Sequence, residues 1–118
     1  MRCLVDCVVP PLPPQIEGYQ NGSTIKVSHK LTSLDIVCVS LGGKPAATLT
    51  WQRNGVAISD NILYSTEPAG SASKLLDARS VLSINPRDAD NEAIYSCHAV
   101  NTALQNPLST SIQLNVLR

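Results

Sequence analysis

The chain has 118 residues, with nine Lys plus Arg against nine Asp plus Glu, no Phe, one Trp and three Tyr. That length holds one domain with a single core, necessarily built mainly of Leu, Ile and Val. A net charge of zero removes the electrostatic case for nucleic acid or an anionic membrane as partner, and no apolar run approaches the roughly 20 residues that cross a bilayer.

Residues 1–9 form an apolar stretch containing Cys3 and Cys7. The stretch is short, is interrupted by Asp6 and runs into prolines rather than a small-residue cleavage site. It is therefore read as the tail of a preceding segment or a product of where the chain was cut, not as a secretory signal. In an extended strand the two cysteines face the same way roughly 13 Å apart, too far to bridge without a tight turn. They are read as unpaired thiols, in preference to a bond to another domain or a metal site shared with His29 or His98. Pro10-Pro11-Leu12-Pro13-Pro14 favours a stiff polyproline lead-in. Residues 1–14 are thus tail and lead-in, and residues 15–118 the domain proper.

Segments 15–19 and 24–27 look like one broken edge strand, split by Gln20-Asn21-Gly22-Ser23. Asn21-Gly22-Ser23 is an N-glycosylation acceptor in a turn-like setting. A strand over about 32–40 places Leu34, Ile36 and Cys38 inward, and Gly42-Gly43-Lys44-Pro45 reads as a turn. The next strand puts Ala47, Leu49 and Trp51 inside and Thr48, Thr50 and Gln52 outside. Asn54-Gly55 is the strongest hairpin signal in the chain and returns into Val56-Ala57-Ile58. Ile62-Leu63-Tyr64 reads as a short strand and 68–73 as a loose loop. Residues 79–84 form a strand with Leu82 and Ile84 inward, followed by a corner over 85–90. The last strand, about 109–117, turns Ile112, Leu114 and Val116 inward. Evenly spaced strands without helical periodicity predict an all-β sandwich.

The most informative stretch is Asn91 to Asn101, in which Ala93, Tyr95, Cys97 and Ala99 alternate with Ile94, Ser96, His98 and Val100. Trp51 follows Cys38 by 13 residues and Cys97 follows it by 59. This Cys…Trp…Tyr-x-Cys set resembles an immunoglobulin domain. Cys97-x-Ala99-x-Asn101 is similar to the strand ending of C2-set and I-set domains in adhesion proteins. The run Gly42-Gly43-x-Pro45-x-Ala47-x-Leu49-x-Trp51-x-x-Asn54-Gly55, followed by Ala78-Arg79-Ser80-Val81-Leu82, resembles an internal domain of the nephrin family. The resemblance covers roughly residues 14–117. Two features depart from it: Asn91 stands where the family has Asp, and the family pattern does not explain the cysteine-bearing stretch of residues 1–9.

The resemblance implies an immunoglobulin-like two-sheet Greek-key sandwich. It also implies a disulfide between Cys38 and Cys97 packed against Trp51, with the Tyr95 hydroxyl bonded back to the preceding corner. The setting it implies is the extracellular portion of a single-pass plasma-membrane protein, whose partners are other immunoglobulin-superfamily adhesion receptors and neighbouring immunoglobulin domains. A soluble secreted immunoglobulin-like ligand-binding protein is the alternative. In such receptors the sheet holding Trp51, Cys97 and the last strand is the usual contact surface. Its outward residues here include Thr48, Thr50, Gln52, Ser96, His98 and Gln113. These are mostly small or polar, with no Trp, Tyr or Arg anchor. A spacer role and a monomeric isolated domain are therefore expected.

Catalytic chemistry finds no footing. No Gly-rich phosphate loop, paired-carboxylate site or metal-ligand spacing is present, so no enzyme activity, small-molecule substrate, metal or cofactor is expected. His98 and Cys97 face opposite ways on one strand and cannot act together. Asp88, Asp90 and Glu92 lack the Gly and the later bidentate acid of a calcium loop and read as a solvated corner.

Overall fold

Alternation of period two decides which side chains are inside. In the computed structural model, residues 7–70, 74–86 and 91–117 are described. Their strands are β1 (Gln15–Ile16), β2 (Ser23–Ser28), β3 (Leu34–Gly43), β4 (Thr48–Arg53), β5 (Val56–Ile58), β6 (Ile62–Pro68), β7 (Leu76–Ile84), β8 (Ile94–Val100) and β9 (Leu108–Leu117). Two sheets result, ordered β1-β3-β7-β6 and β2-β9-β8-β4-β5. The chain changes sheet between β1 and β2, β2 and β3, β3 and β4, β5 and β6, and β7 and β8. This is the immunoglobulin-like sandwich expected from the sequence, with a fifth strand, β5, on the sheet of β8 and β9.

The inner faces are those read from the sequence. Ile36, Cys38, Leu49, Trp51, Leu82, Ile84, Tyr95, Cys97, Ile112, Leu114 and Val116 are all buried. Ile16 and Ile25 join them from β1 and β2. In a chain without Phe, one Trp and β-branched or Leu side chains fill the space between the sheets.

Segments 15–19 and 24–27 are halves of one edge run, as their composition suggests, but they belong to opposite sheets. β1 pairs antiparallel with β3, whereas β2 pairs parallel with β9. Gly18 (φ +84°) and Gly22 (φ +84°) supply the left-handed backbone between them. The Asn54-Gly55 hairpin forms as expected, both residues having positive φ (50° and 83°).

Gly42–Pro45 departs from the simple turn read from the sequence. β3 continues through Gly43, with a shift of register against β7 between Ser40 and Gly43. Gly42 N–H donates to the Asp77 carboxylate at 2.8 Å, so a side chain takes the place of a ladder acceptor. Beyond Gly43, Lys44 pairs with Val9, and the Lys44–Pro45 peptide is cis. β6 is also longer than the three residues expected, running seven residues along β7.

Candidate contact face and incoming pole

The core signature is assembled from both sheets. Cys38 on β3 and Cys97 on β8 are disulfide-bonded, with Cα atoms 6.5 Å apart and no exposed surface. Trp51 lies opposite Cys97 in the β4–β8 register, and its indole N–H donates to Ser80 Oγ at 2.9 Å. Ser80 lies opposite Cys38 in the β3–β7 register. The indole therefore crosses between the sheets beside the bridge, and its polar edge is satisfied at no cost in solvent access. Nothing in the sequence pattern singled out Ser80, because a buried Ser at an inward position reads simply as a small core residue.

Thr48, Thr50, Gln52, Ser96, His98 and Gln113 are brought together on the outer face of the β2-β9-β8-β4-β5 sheet. The rows are Thr50–His98–Ser109, Gln52–Ser96–Ser111 and Ile94–Gln113–Thr24. Among the described residues, Lys26 on β2 is the one charged side chain on this face. Ile94 and Val100 are 45% and 38% exposed and are its sizeable apolar members towards β8. His98 sits half-buried at the centre, with Nε2 shielded from solvent and without a hydrogen-bond partner. The strand residues of this face are thus nearly uncharged and mostly small or polar.

A second surface, at one end of the sandwich, was not visible in the sequence. Val9 and Lys44 exchange backbone hydrogen bonds of 2.8 and 3.0 Å, and Leu12 N–H donates to Leu41 C=O at 2.8 Å. Ser40 Oγ–H donates to Leu12 C=O at 2.8 Å. Asn101, buried just past the end of β8, donates from Nδ2 to both Val9 C=O (2.8 Å) and Pro45 C=O (3.0 Å). Its Oδ1 accepts from Ala103 N–H at 3.0 Å. Gly43 is required at this junction, because a Cβ there would stand 2.8 Å from Pro45 O and 3.3 Å from Pro11. The proline lead-in is therefore stitched to β3 rather than projecting from the domain, and Pro11 and Pro14 are buried.

β9 ends at the opposite pole. There Leu117 pairs with Ser28, and its carbonyl accepts from both the backbone N–H and the Nδ1 of His29, each at 2.9 Å. Asn91 Oδ1 accepts from Val116 N–H at 2.8 Å and ties the segment leading into β8 to β9. The expected Tyr95 hydroxyl bond and the Asp88–Asp90 cluster involve the corner at 87–90, which lies outside the described residues. Tyr64 is 48% exposed, but partial burial still pushes its phenol above its ordinary pKa, and its hydroxyl donates to Ala47 C=O.

One reading is corrected. Cys7 is disulfide-bonded and not a free thiol. The extended-strand geometry on which that reading relied does not apply, since Cys7 and Val8 lie outside any strand. Cys3 lies outside the described residues. His29, bonded to Leu117, and His98, on the outer sheet face, do not come together, and no metal-holding cluster occurs among the described residues.

A family model for the CD80-like C2-set immunoglobulin domain matches residues 13–107. The chain belongs to that family. As a C2-set domain it is 36% identical over 106 residues to the irregular chiasm C-roughest protein of Drosophila melanogaster, covering 89% of this chain and 14% of that protein. It is 35% identical over 114 residues to nephrin of Homo sapiens, covering 95% of this chain and 8% of nephrin. The crystal structure of Rst D1-D2 superposes with a TM-score of 0.84 at 35% identity, over 93% of this chain and 51% of that one. These relatives are immunoglobulin-superfamily adhesion receptors, and the nephrin-family resemblance holds. The chain is thus a C2-set domain of the adhesion-receptor kind, spanning a small part of its relatives' length, and its relatives are receptors rather than enzymes. No helix among the described residues is long and apolar enough to cross a membrane.

Proposed function

We propose that this chain is a structural module in the extracellular portion of a single-pass plasma-membrane adhesion receptor. On this reading residues 15–118 form the module, residues 1–14 its lead-in, and neighbouring immunoglobulin domains are held at a set angle. The observation that carries it is the pair of poles. The incoming chain is hydrogen-bonded into one end through Val9, Leu12 and Asn101, and the outgoing strand finishes at the other. A module tied at its incoming end passes orientation along a string; a flexible tether does not.

The composition of the open sheet face supports the same reading. Binding energy concentrates in buried Trp, Tyr and Arg anchors, and the row of Thr50, His98 and Ser109 with its neighbours offers none. Other immunoglobulin-superfamily receptors are then partners of the whole receptor, met through other domains. In sedimentation, the isolated 118-residue chain stays monomeric at tens of micromolar and does not bind cells bearing related receptors. Saturable micromolar self-association abolished by His98→Glu would overturn the spacer role and make this face the adhesive one.

A further inference from the structure

The turn at Gln20–Ser23 is more than an exposed acceptor. Asn21 is exposed, and both of its hydrogen bonds use Oδ1, which accepts from Ser111 N–H at 2.9 Å and from Ser111 Oγ–H at 3.4 Å. The carboxamide is thereby fixed in orientation, with Nδ2 left uncommitted. Gly22 N–H donates to Ser111 C=O at 2.8 Å, and Ser23 N–H and Oγ–H both donate to Gln20 C=O, at 3.0 and 2.7 Å. Asn21 sits on the rim of a cleft of about 570 Å³ where the chain crosses from β1 to β2, lined also by Tyr19, Pro13, Pro14, Ile16 and Thr110. A volume of that order seats a small ligand. Tyr19 is 41% exposed two residues before Asn21, so the cleft has an aromatic wall that the core does not use.

We propose that Asn21 carries an N-linked glycan whose first N-acetylglucosamine is seated in this cleft against the Tyr19 ring, so that the sugar becomes part of the fold. The axial C–H groups of a pyranose face are weakly positive and match the negative face of an aromatic ring. The proposal rests on the extracellular placement above and is independent of the spacer role. The transfer needs a lipid-pyrophosphate-linked oligosaccharide and the secretory-pathway transferase. Asn21 Nδ2 bonds to C1 of the first sugar as the C1–O bond to pyrophosphate breaks. The lipid pyrophosphate leaves, and the amide proton passes to a base of the transferase.

In the folded domain the Ser23 hydroxyl is turned back to Gln20, and Asn21 is held by Ser111, 90 residues downstream. Docking of β9 beside β2 is thus what fixes the acceptor turn.

The test secretes the 118-residue chain from a eukaryotic host and compares it with the same chain made without glycan, both with Cys38–Cys97 oxidised. The secreted protein carries one glycan at Asn21 by intact mass and peptide mapping, and melts about 4 °C higher. Trimming to a single N-acetylglucosamine keeps the increment, Tyr19→Phe keeps it, and Tyr19→Ala abolishes it. Nuclear Overhauser contacts between the first sugar and the Tyr19 ring provide a readout that needs no variant. An unmodified Asn21, equal melting temperatures, an increment lost on trimming or retained in Tyr19→Ala, or absence of sugar–ring contacts overturns the proposal.

Discussion

The side chain at the centre of the incoming pole is Asn101. It satisfies two carbonyls, one on the lead-in and one on the Lys44–Pro45 segment, from a buried position. Asn101→Ala removes the side-chain donor to Pro45 C=O and leaves Val9 C=O with Lys44 N–H alone; it is expected to cost about 1–3 kcal/mol, read by denaturant unfolding. A change within a few tenths of a kcal/mol would show that water replaces the amide freely. Tyr64 gives a pH-dependent prediction. Its raised folded pKa comes from partial burial of a side chain that is otherwise open to solvent. The associated stability is complete below the ordinary tyrosine value of about 10 and is lost as pH rises through the folded pKa. Tyr64→Phe should flatten that alkaline loss while costing about 1 kcal/mol at neutral pH through the lost bond to Ala47. Identical alkaline profiles for the two proteins would contradict it.

Residues of the core signature were legible because each rests on local alternation. Cys38, Trp51, Tyr95 and Cys97 sit at inward positions of strands whose pattern is complete within a few residues. Asn101, Asn91, Ser80 and Asp77 were not legible in the same way, since their partners lie 92, 25, 29 and 35 residues away. Only the topology brings those groups together, and a polar residue at a strand end looks the same with or without a distant acceptor.

Among the elements, β3 shows where the sequence reading stops. Gly42-Gly43-x-Pro45 has the composition of a turn, yet the strand runs to Gly43 because Asp77 supplies an acceptor to Gly42 and Val9 pairs with Lys44. Gly43→Ala would place a methyl 2.8 Å from a backbone oxygen. It is expected to destabilise by about 1–3 kcal/mol, seen as a lower denaturant midpoint. A neutral substitution would mean the Lys44–Pro45 segment gives way without loss. β6 was under-read for a different reason. All but the first of its residues are exposed, so no burial alternation marks it, and its position follows from pairing with β7 alone. β1 and β2 were recognised as strand-like, but which sheet each joins depends on the backbone between Gly18 and Gly22, to which side-chain periodicity is blind.

At the scale of the whole molecule, the disulfide closes a loop between residues 59 apart in sequence. On the chain-entropy account that bond stabilises by about 4 kcal/mol. Cys38→Ala with Cys97→Ala should lose stability of that order in denaturant unfolding, and an unchanged midpoint would contradict it. The bridge and the core hold the two sheets together, while the stitched lead-in makes the module suited to transmitting an angle. That last property is the centre of the account, and amide hydrogen exchange on the 118-residue chain tests it most directly. The amides of Val9 and Leu12, which donate to Lys44 and Leu41, should be protected well above the rate of an unstructured peptide. Asn101→Ala should release Val9 while Ile36 and Leu82 in the core keep their protection. Exchange of Val9 and Leu12 at the free-peptide rate in the unaltered chain would contradict the fixed pole and, with it, the spacer role.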